Sequence, residues 1–176
     1  MTNHEITREA ERLLSAAGIG GEPVRVFDVA RAVGASIRLG PLPSELSGFL
    51  LREGKDTIIG VNNLHPRKRQ NFTVAHELGH LRLHPADSFV DRNLSFYFRD
   101  SRSGQAIDRR EIEANQFAAD LLMPEKYVRP YLHGKNVDLG DEELLESIAR
   151  KFQVSTQALS FRLINLGMAK LRRRLL

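Results

Sequence analysis

The sequence has no cysteine and no long run of apolar residues. Without cysteine, the chain cannot contain disulfide bonds, thiolate metal ligands or cysteine nucleophiles. No stretch approaches the roughly 18 consecutive apolar residues that a membrane-spanning helix needs, and no hydrophobic segment of the secretory type stands at the N-terminus. These absences predict a cytoplasmic protein.

The excess of one charge is also small, because 26 Lys and Arg face 22 Asp and Glu, for a net charge of +4. A surplus of this size does not by itself require a nucleic-acid partner. Part of it lies at residues 67–69 and in the tail at 170–174. We interpret the tail as a solvated end, with contact to nucleic acid or an acidic partner as the alternative.

The 176 residues, 41% of them hydrophobic, are enough for one domain with a real core, or for one domain and a small appendage. Two β-prone runs at 48–51 and 57–61 predict a hairpin, with one run as an edge strand. Apolar spacing predicts helices at 72–83 and 109–123 and a helical C-terminal third. We therefore predict an α+β fold, with a main domain at 1–135 and a helix-turn-helix-like subdomain at 136–176 packed on it.

One short run carries the chemistry, His76-Glu77-Leu78-Gly79-His80. In a helix, positions i and i+4 lie on one face, so both imidazoles can bind one zinc ion. Glu77 is turned away from that face and can act as general base toward the attacking water without binding the metal. Gly79 is expected to leave space beside the metal. The pattern predicts a zinc-dependent peptidase with one zinc ion per chain.

A catalytic zinc site needs a third protein ligand. The metzincin pattern would place a histidine shortly after His80, but Leu83 and Ala86 stand at the positions that this pattern tests. A glutamate on the helix at 109–123 is the other solution. Glu113 borders the apolar stripe of that helix and Glu111 lies further round it, so Glu113 is the predicted ligand and Glu111 is expected in solvent.

The run 69–80, RQNFTVAHELGH, and the run 113–124, EANQFAADLLMP, together resemble the ImmA/IrrE family of metallopeptidases. The likeness includes Ser47-Gly48, Val61-Asn62, Val154-Ser155 and Arg162-Leu163, and covers about residues 6–168. It implies a gluzincin-like fold, in which a small antiparallel sheet or hairpin packs on the metal-binding helices. It also implies zinc held by His76, His80 and Glu113, with Glu77 as the base.

The resemblance also implies a substrate class. We expect limited, site-specific cuts in a helix-turn-helix transcriptional repressor, which would switch on phage, mobile-element or stress-response genes. Some members carry a C-terminal sensor domain, for which this chain has no room. The hairpin before the metal helix is expected to pair with the substrate as an extra strand, so that proline at Ile58 or Ile59 would impair cleavage and leave the metal in place.

The transition state of peptide hydrolysis needs a further hydrogen-bond donor. His84 is the first candidate, because it follows His80 by four residues. Other side chains of suitable type are His65, Tyr97, Arg99, Tyr127 and Tyr131. Metal-bound histidines also need outer-shell acceptors, for which Asn115 and Asp120 are candidates that the sequence does not rank.

A rival function is a DNA-binding regulator, in which the metal site is regulatory. Residues 141–168 have a helix–turn–helix outline, and polar residues on the second helix could contact bases or phosphates. The apolar positions of that helix favour packing against the main domain instead.

Overall fold

A four-stranded mixed sheet supports the helix that carries His76 and His80. The computed structural model describes residues 1–53, 56–84, 89–92, 109–132, 134 and 136–170. The strands, in chain order, are β1 (Ala35–Gly40), β2 (Leu46–Glu53), β3 (Asp56–Asn62) and β4 (Phe89–Arg92). Their order across the sheet is β1-β3-β2-β4.

The predicted hairpin is confirmed, since β2 and β3 pair antiparallel with Leu50 opposite Ile59. The prediction that one of them is an edge strand is wrong. β1 pairs with β3 in parallel and β4 pairs with β2 antiparallel, so that both hairpin strands lie inside the sheet. Ile59 and Val61 of β3 are fully buried, as an interior strand requires.

The helices pack around this sheet through their buried apolar residues, and three of them begin at a side-chain cap. Helix α1 begins at a capping box of Thr2 and Glu5 and ends at Gly18, whose φ of 64° suits glycine. The helices are α1 (Asn3–Ala17), α2 (Val26–Ala32), α3 (Arg67–Leu83), α4 (Arg109–Leu122), α5 (Glu125–Val128), α6 (Glu142–Phe152) and α7 (Thr156–Asn165). A 3-10 turn at Arg129–Leu132 follows α5, and two short strands, β5 (Val137–Asp138) and β6 (Ala169–Lys170), pair in parallel.

Residues 71–80 of α3 are buried because they lie between the sheet and α4. Two glycines permit the close approach on its two sides. A Cβ atom at Gly48 of β2 would lie 2.4 Å from Cγ2 of Thr73, and one at Gly79 of α3 would lie 3.0 Å from Cα of Ala114. Gly79 thus brings α4 close to α3, which differs from the predicted role of leaving space beside the metal.

The C-terminal helices join the same hydrophobic core as α1, α3 and α4. A buried ion pair connects them, because Arg162 of α7 contacts Asp120 of α4 and donates from Nε to the carbonyl oxygen of Met123 at 2.9 Å. The boundary at residue 135 stays a prediction.

The α+β class is confirmed, with a mixed sheet in place of a purely antiparallel one. Among the residues that the structure describes, no helix has the length and apolar character needed to cross a membrane.

Candidate metal centre

Helix α3 brings two imidazoles together at its buried face. His76 and His80 are both 0% exposed, and their Nε2 atoms are 2.9 Å apart. This is the arrangement that the i, i+4 spacing predicts for side chains on one face of a helix.

Glu111 of α4 supplies a third ligand-type group. Its carboxylate oxygens lie 3.2 Å from Nε2 of His76 and 3.3 Å from Nε2 of His80. Three atoms that each lie 2.0–2.1 Å from one ion in tetrahedral arrangement are separated by about 3.3 Å. Two nitrogens and a carboxylate oxygen at these distances therefore fit a zinc ion, and the Glu111 side chain is 36% exposed while both histidines are buried.

Glu113, the residue predicted for this position, lies elsewhere. Its carboxylate contacts Nε of Arg109 at 3.0 Å and the amino group of Met1, and it is 3.9 Å from Nε2 of His84. Burial by itself would raise the pKa of Glu113, but the hydrogen bonds from these two cationic partners lower it. The structure thus brings Glu111, and not Glu113, to the two histidines.

The physical reason is that α4 packs on more than one helix. It packs on α3 through the face with Glu111, Ala114 and Asn115, and on α1 through the face with Asp120, whose Oδ2 accepts from Thr7 at 2.7 Å. A glutamate beside the apolar stripe can therefore be buried without facing α3. The apolar stripe shows which side of α4 is buried, but it does not show which neighbour a glutamate at its border faces.

Asn115 contacts the outer nitrogen of His76. Its Oδ1 lies 3.0 Å from Nδ1 of that ring. An amide oxygen only accepts hydrogen bonds, so the contact favours the tautomer with hydrogen on Nδ1 and leaves the lone pair of Nε2 directed at the cluster. Of the two acceptors that the sequence did not rank, Asn115 thus serves the histidine, whereas Asp120 pairs with Arg162.

Glu77 is fully buried between α3 and the sheet. A Cβ atom at Gly48 would lie 3.4 Å from its Oε1, so the absence of a side chain at this position leaves room for the carboxylate beside β2. Glu77 is not part of the cluster of ligand-type groups, and its role as general base stays a prediction.

The electrostatics of the cluster favour a charged carboxylate at Glu111 and a neutral imidazole at His80. Burial by itself would raise the pKa of Glu111, but its contacts with the rings of His76 and His80 outweigh burial and lower that pKa far below its usual range. Burial lowers the pKa of His80. An ionised carboxylate and neutral imidazoles are the forms that bind a metal ion.

His84 lies beside the cluster without belonging to it. Helix α3 ends at Leu83, but the ring of His84 stays 5.4 Å from that of His80, and its Nε2 lies 3.2 Å from the carbonyl oxygen of Arg110. A residue that the sequence did not suggest, Arg52 of β2, donates to the carbonyl oxygens of Leu81 and His84, both at 3.1 Å. It satisfies the carbonyls that the end of a helix leaves open.

The remaining donor candidates have other positions. The Tyr131 hydroxyl donates to Glu22, and the Tyr127 hydroxyl lies next to Gly20. His65 precedes α3, and burial lowers its pKa. Tyr97 and Arg99 fall outside the described residues.

The chain is similar to three kinds of known protein. The sequence model of the IrrE N-terminal-like domain, a peptidase family, matches residues 31–164. An uncharacterized immunity region protein 2 of Bacillus phage phi105 is 29% identical over 105 residues, or 60% of this chain and 62% of that protein. A Mycobacterium tuberculosis transcriptional regulator of known structure aligns with 97% of this chain and 48% of its own, with a TM-score of 0.61 and 19% identity. The chain thus spans less than two thirds of either relative, and the third likeness is one of fold alone.

Proposed function

The chain belongs to the peptidase family of the IrrE N-terminal-like domain, and from this membership we propose that it is a zinc-dependent endopeptidase with His76, His80 and Glu111 as metal ligands. The observation that carries the proposal is the convergence of these three buried or half-buried groups at 2.9–3.3 Å from one another. Two histidines and a glutamate form a ligand set typical of zinc peptidases.

The residues around the cluster have separate tasks in this proposal. Zinc, when bound, acts as a Lewis acid on the scissile carbonyl. Glu77 takes a proton from the attacking water and delivers it to the leaving amine, which is general base and then general acid catalysis. Asn115 orients His76. His84, at the end of α3 nearest His80, is the candidate donor to the oxyanion of the transition state.

The proposed substrate is a helix-turn-helix transcriptional repressor. Two observations support this class: the family resemblance of the runs at 69–80 and 113–124, and the similarity to an immunity region protein of a phage. Cleavage at one or a few bonds of the repressor would relieve repression of phage, mobile-element or stress-response genes. The cut is limited because most bonds of a folded repressor are protected until a segment opens locally.

Mass mapping of repressor fragments tests this function. Zinc-loaded protein is incubated with repressors encoded beside its gene, with casein in a parallel reaction. We expect one or a few cuts in one repressor and little digestion of casein. The Glu77→Gln variant should keep its zinc and lose about 10²–10⁴-fold in rate, because it lacks only the base. Efficient casein digestion, or a Glu77→Gln variant that loses zinc or cuts normally, would contradict the proposal.

A further inference from the structure

Helices α6 and α7 enclose a surface groove that the proposed metal centre does not use. The cavity has a volume of about 330 Å³. Its apolar part is contributed by Leu139 and by the buried Leu145. Polar groups from both helices complete the lining: Glu142, Glu146, Thr156, Gln157 and Ser160.

The groove is acidic in a chain whose net charge is positive. Residues 138–162 contain five acidic and three basic residues, although the whole chain carries +4. Of the three basic residues, Arg162 is buried in its pair with Asp120. Glu142 and Glu146 are both exposed and stand one turn apart on α6, so their carboxylates lie on the same side of that helix.

This charge argues against nucleic acid as the occupant. A helix–turn–helix that binds DNA needs Lys and Arg to neutralise phosphates, and phosphate contacts supply much of its affinity. Here the second helix, α7, presents Thr156, Gln157 and Ser160 to a groove whose other wall holds two carboxylates. Carboxylates repel phosphates. The two helices therefore have the outline of a DNA-binding helix–turn–helix, but the charge of their groove has the opposite sign.

We propose that the groove is a docking site for the basic DNA-binding surface of the repressor substrate. The inference rests on the proposed function, since a repressor must carry Lys and Arg on the surface that meets DNA. The aliphatic stems of such side chains can pack on Leu139 and Leu145, and their charged ends can pair with Glu142 and Glu146. Thr156, Gln157 and Ser160 offer hydrogen bonds to the same segment.

With a docking site separate from the metal ligands, the protein can select one repressor without requiring a particular sequence at the scissile bond. When the repressor binds at the groove, the effective concentration of its peptide bonds at the metal centre rises. Because opposite charges attract at a distance, the groove also increases the rate of encounter, and this contribution weakens as salt rises.

Charge reversal in the groove tests the proposal. The double variant Glu142→Lys/Glu146→Lys is compared with wild type and with Glu143→Lys, which reverses an exposed charge on the same helix outside the groove lining. For repressor cleavage we expect KM to rise about tenfold or more in the double variant, with kcat near that of wild type and a weaker dependence on salt. Glu143→Lys should stay within about threefold of wild type.

Two further measurements separate docking from catalysis. A short peptide spanning the mapped scissile bond, without the DNA-binding part, should be cut equally by all three proteins. Repressor binding is also measured in the Glu77→Gln background, where no cleavage interferes, and should weaken only in the double reversal. If wild type cuts no repressor, the proposed function fails, whereas equal binding and cleavage by the double reversal and Glu143→Lys would overturn the docking site alone. A salt-dependent mobility shift of wild type with duplex DNA that Gln157→Ala abolishes would assign the groove to nucleic acid and overturn it too.

Discussion

Two glutamates of α4, two positions apart, have opposite surroundings. Glu111 meets the Nε2 atoms of both histidines, whereas Glu113 meets Arg109 and the amino group of Met1. Residues two apart on a helix are separated by about 200° of rotation, so both cannot face α3. At the scale of single residues, the direction of a side chain decides which carboxylate is available to a metal.

This difference predicts a ranking of zinc affinities. Glu111→Ala should weaken zinc binding by more than the 10–100-fold that is typical of losing an outer-shell partner, because it removes a ligand. Glu113→Ala should bind zinc almost normally. Competition with a chromogenic chelator measures both constants, and the reverse ranking would return the ligand role to Glu113.

A second prediction concerns Asn115, which accepts from Nδ1 of His76 at 3.0 Å. Asn115→Leu should lower zinc affinity about 10–100-fold, since the ring loses the acceptor that fixes its tautomer. Asn115→Asp keeps an acceptor and should keep the affinity. Nitrogen chemical shifts of the His76 ring in the zinc-free protein report the tautomer directly. An unchanged tautomer in Asn115→Leu would show that Asn115 does not orient the ring.

At the scale of elements, the position of α3 depends on the small residues around it. At Gly48 of β2 there is no space for a side chain, because a Cβ atom would lie 2.4 Å from Cγ2 of Thr73 and 2.7 Å from the carbonyl oxygen of Gly60.

The position of β3 in the sheet differs from the expected one. β3 is interior, so a proline at Ile58 or Ile59 would remove pairing within the sheet, and the prediction that a substrate strand pairs at these positions is wrong.

A glycine pair tests the packing of α3 on the sheet. Gly48→Ala should lower the free energy of unfolding by about 1–3 kcal/mol, because overpacking forces α3 or β3 to move. Gly40→Ala is the matched control on β1, where a Cβ atom would meet nothing within 4 Å. There the free energy of unfolding should stay the same or rise by up to about 1 kcal/mol. Urea unfolding of the zinc-free proteins decides, and equal effects of both changes would contradict the close approach.

At the scale of the whole molecule, a buried polar network joins the C-terminal helices to the metal helices. Asp120 of α4 accepts from Thr7 of α1 and Gln116 of α4, each at 2.7 Å, and pairs with Arg162 of α7. Asn165 extends the network by donating to Gln116 at 2.8 Å. The helix that carries Glu111 and Asn115 is thus held from both ends of the chain.

Removing Arg162 from its buried pair with Asp120 should lower the free energy of unfolding. Arg162→Met leaves the Asp120 carboxylate buried without its cation, which typically costs about 3–5 kcal/mol of unfolding free energy. Arg129→Met removes an exposed partner of Glu125 and should cost at most about 1 kcal/mol. Urea unfolding measures both variants. A loss for Arg162→Met no larger than that for Arg129→Met would mean that the pair does not hold the C-terminal helices.

The sequence by itself determined most of the helices, the hairpin and the two histidines that lie on one helix. Apolar spacing and the following prolines predicted helices at 72–83 and 109–123, which the structure has at Arg67–Leu83 and Arg109–Leu122. The β-prone runs predicted the hairpin before the first of them, since all of these are local properties of the chain. The meeting of His76 and His80 followed from their spacing alone, because side chains at i and i+4 meet whatever else surrounds the helix.

Only the tertiary structure decided what depends on two elements meeting. The choice of Glu111 over Glu113 required knowing that α4 packs on both α1 and α3, and the interior position of β3 required the pairing with β1 across the chain. The contact of Asn115 with His76 and the buried pair of Asp120 with Arg162 likewise join residues 39 and 42 positions apart. The periodicity of apolar residues shows which face of an element is buried, but the packing of the whole chain decides which neighbour buries that face.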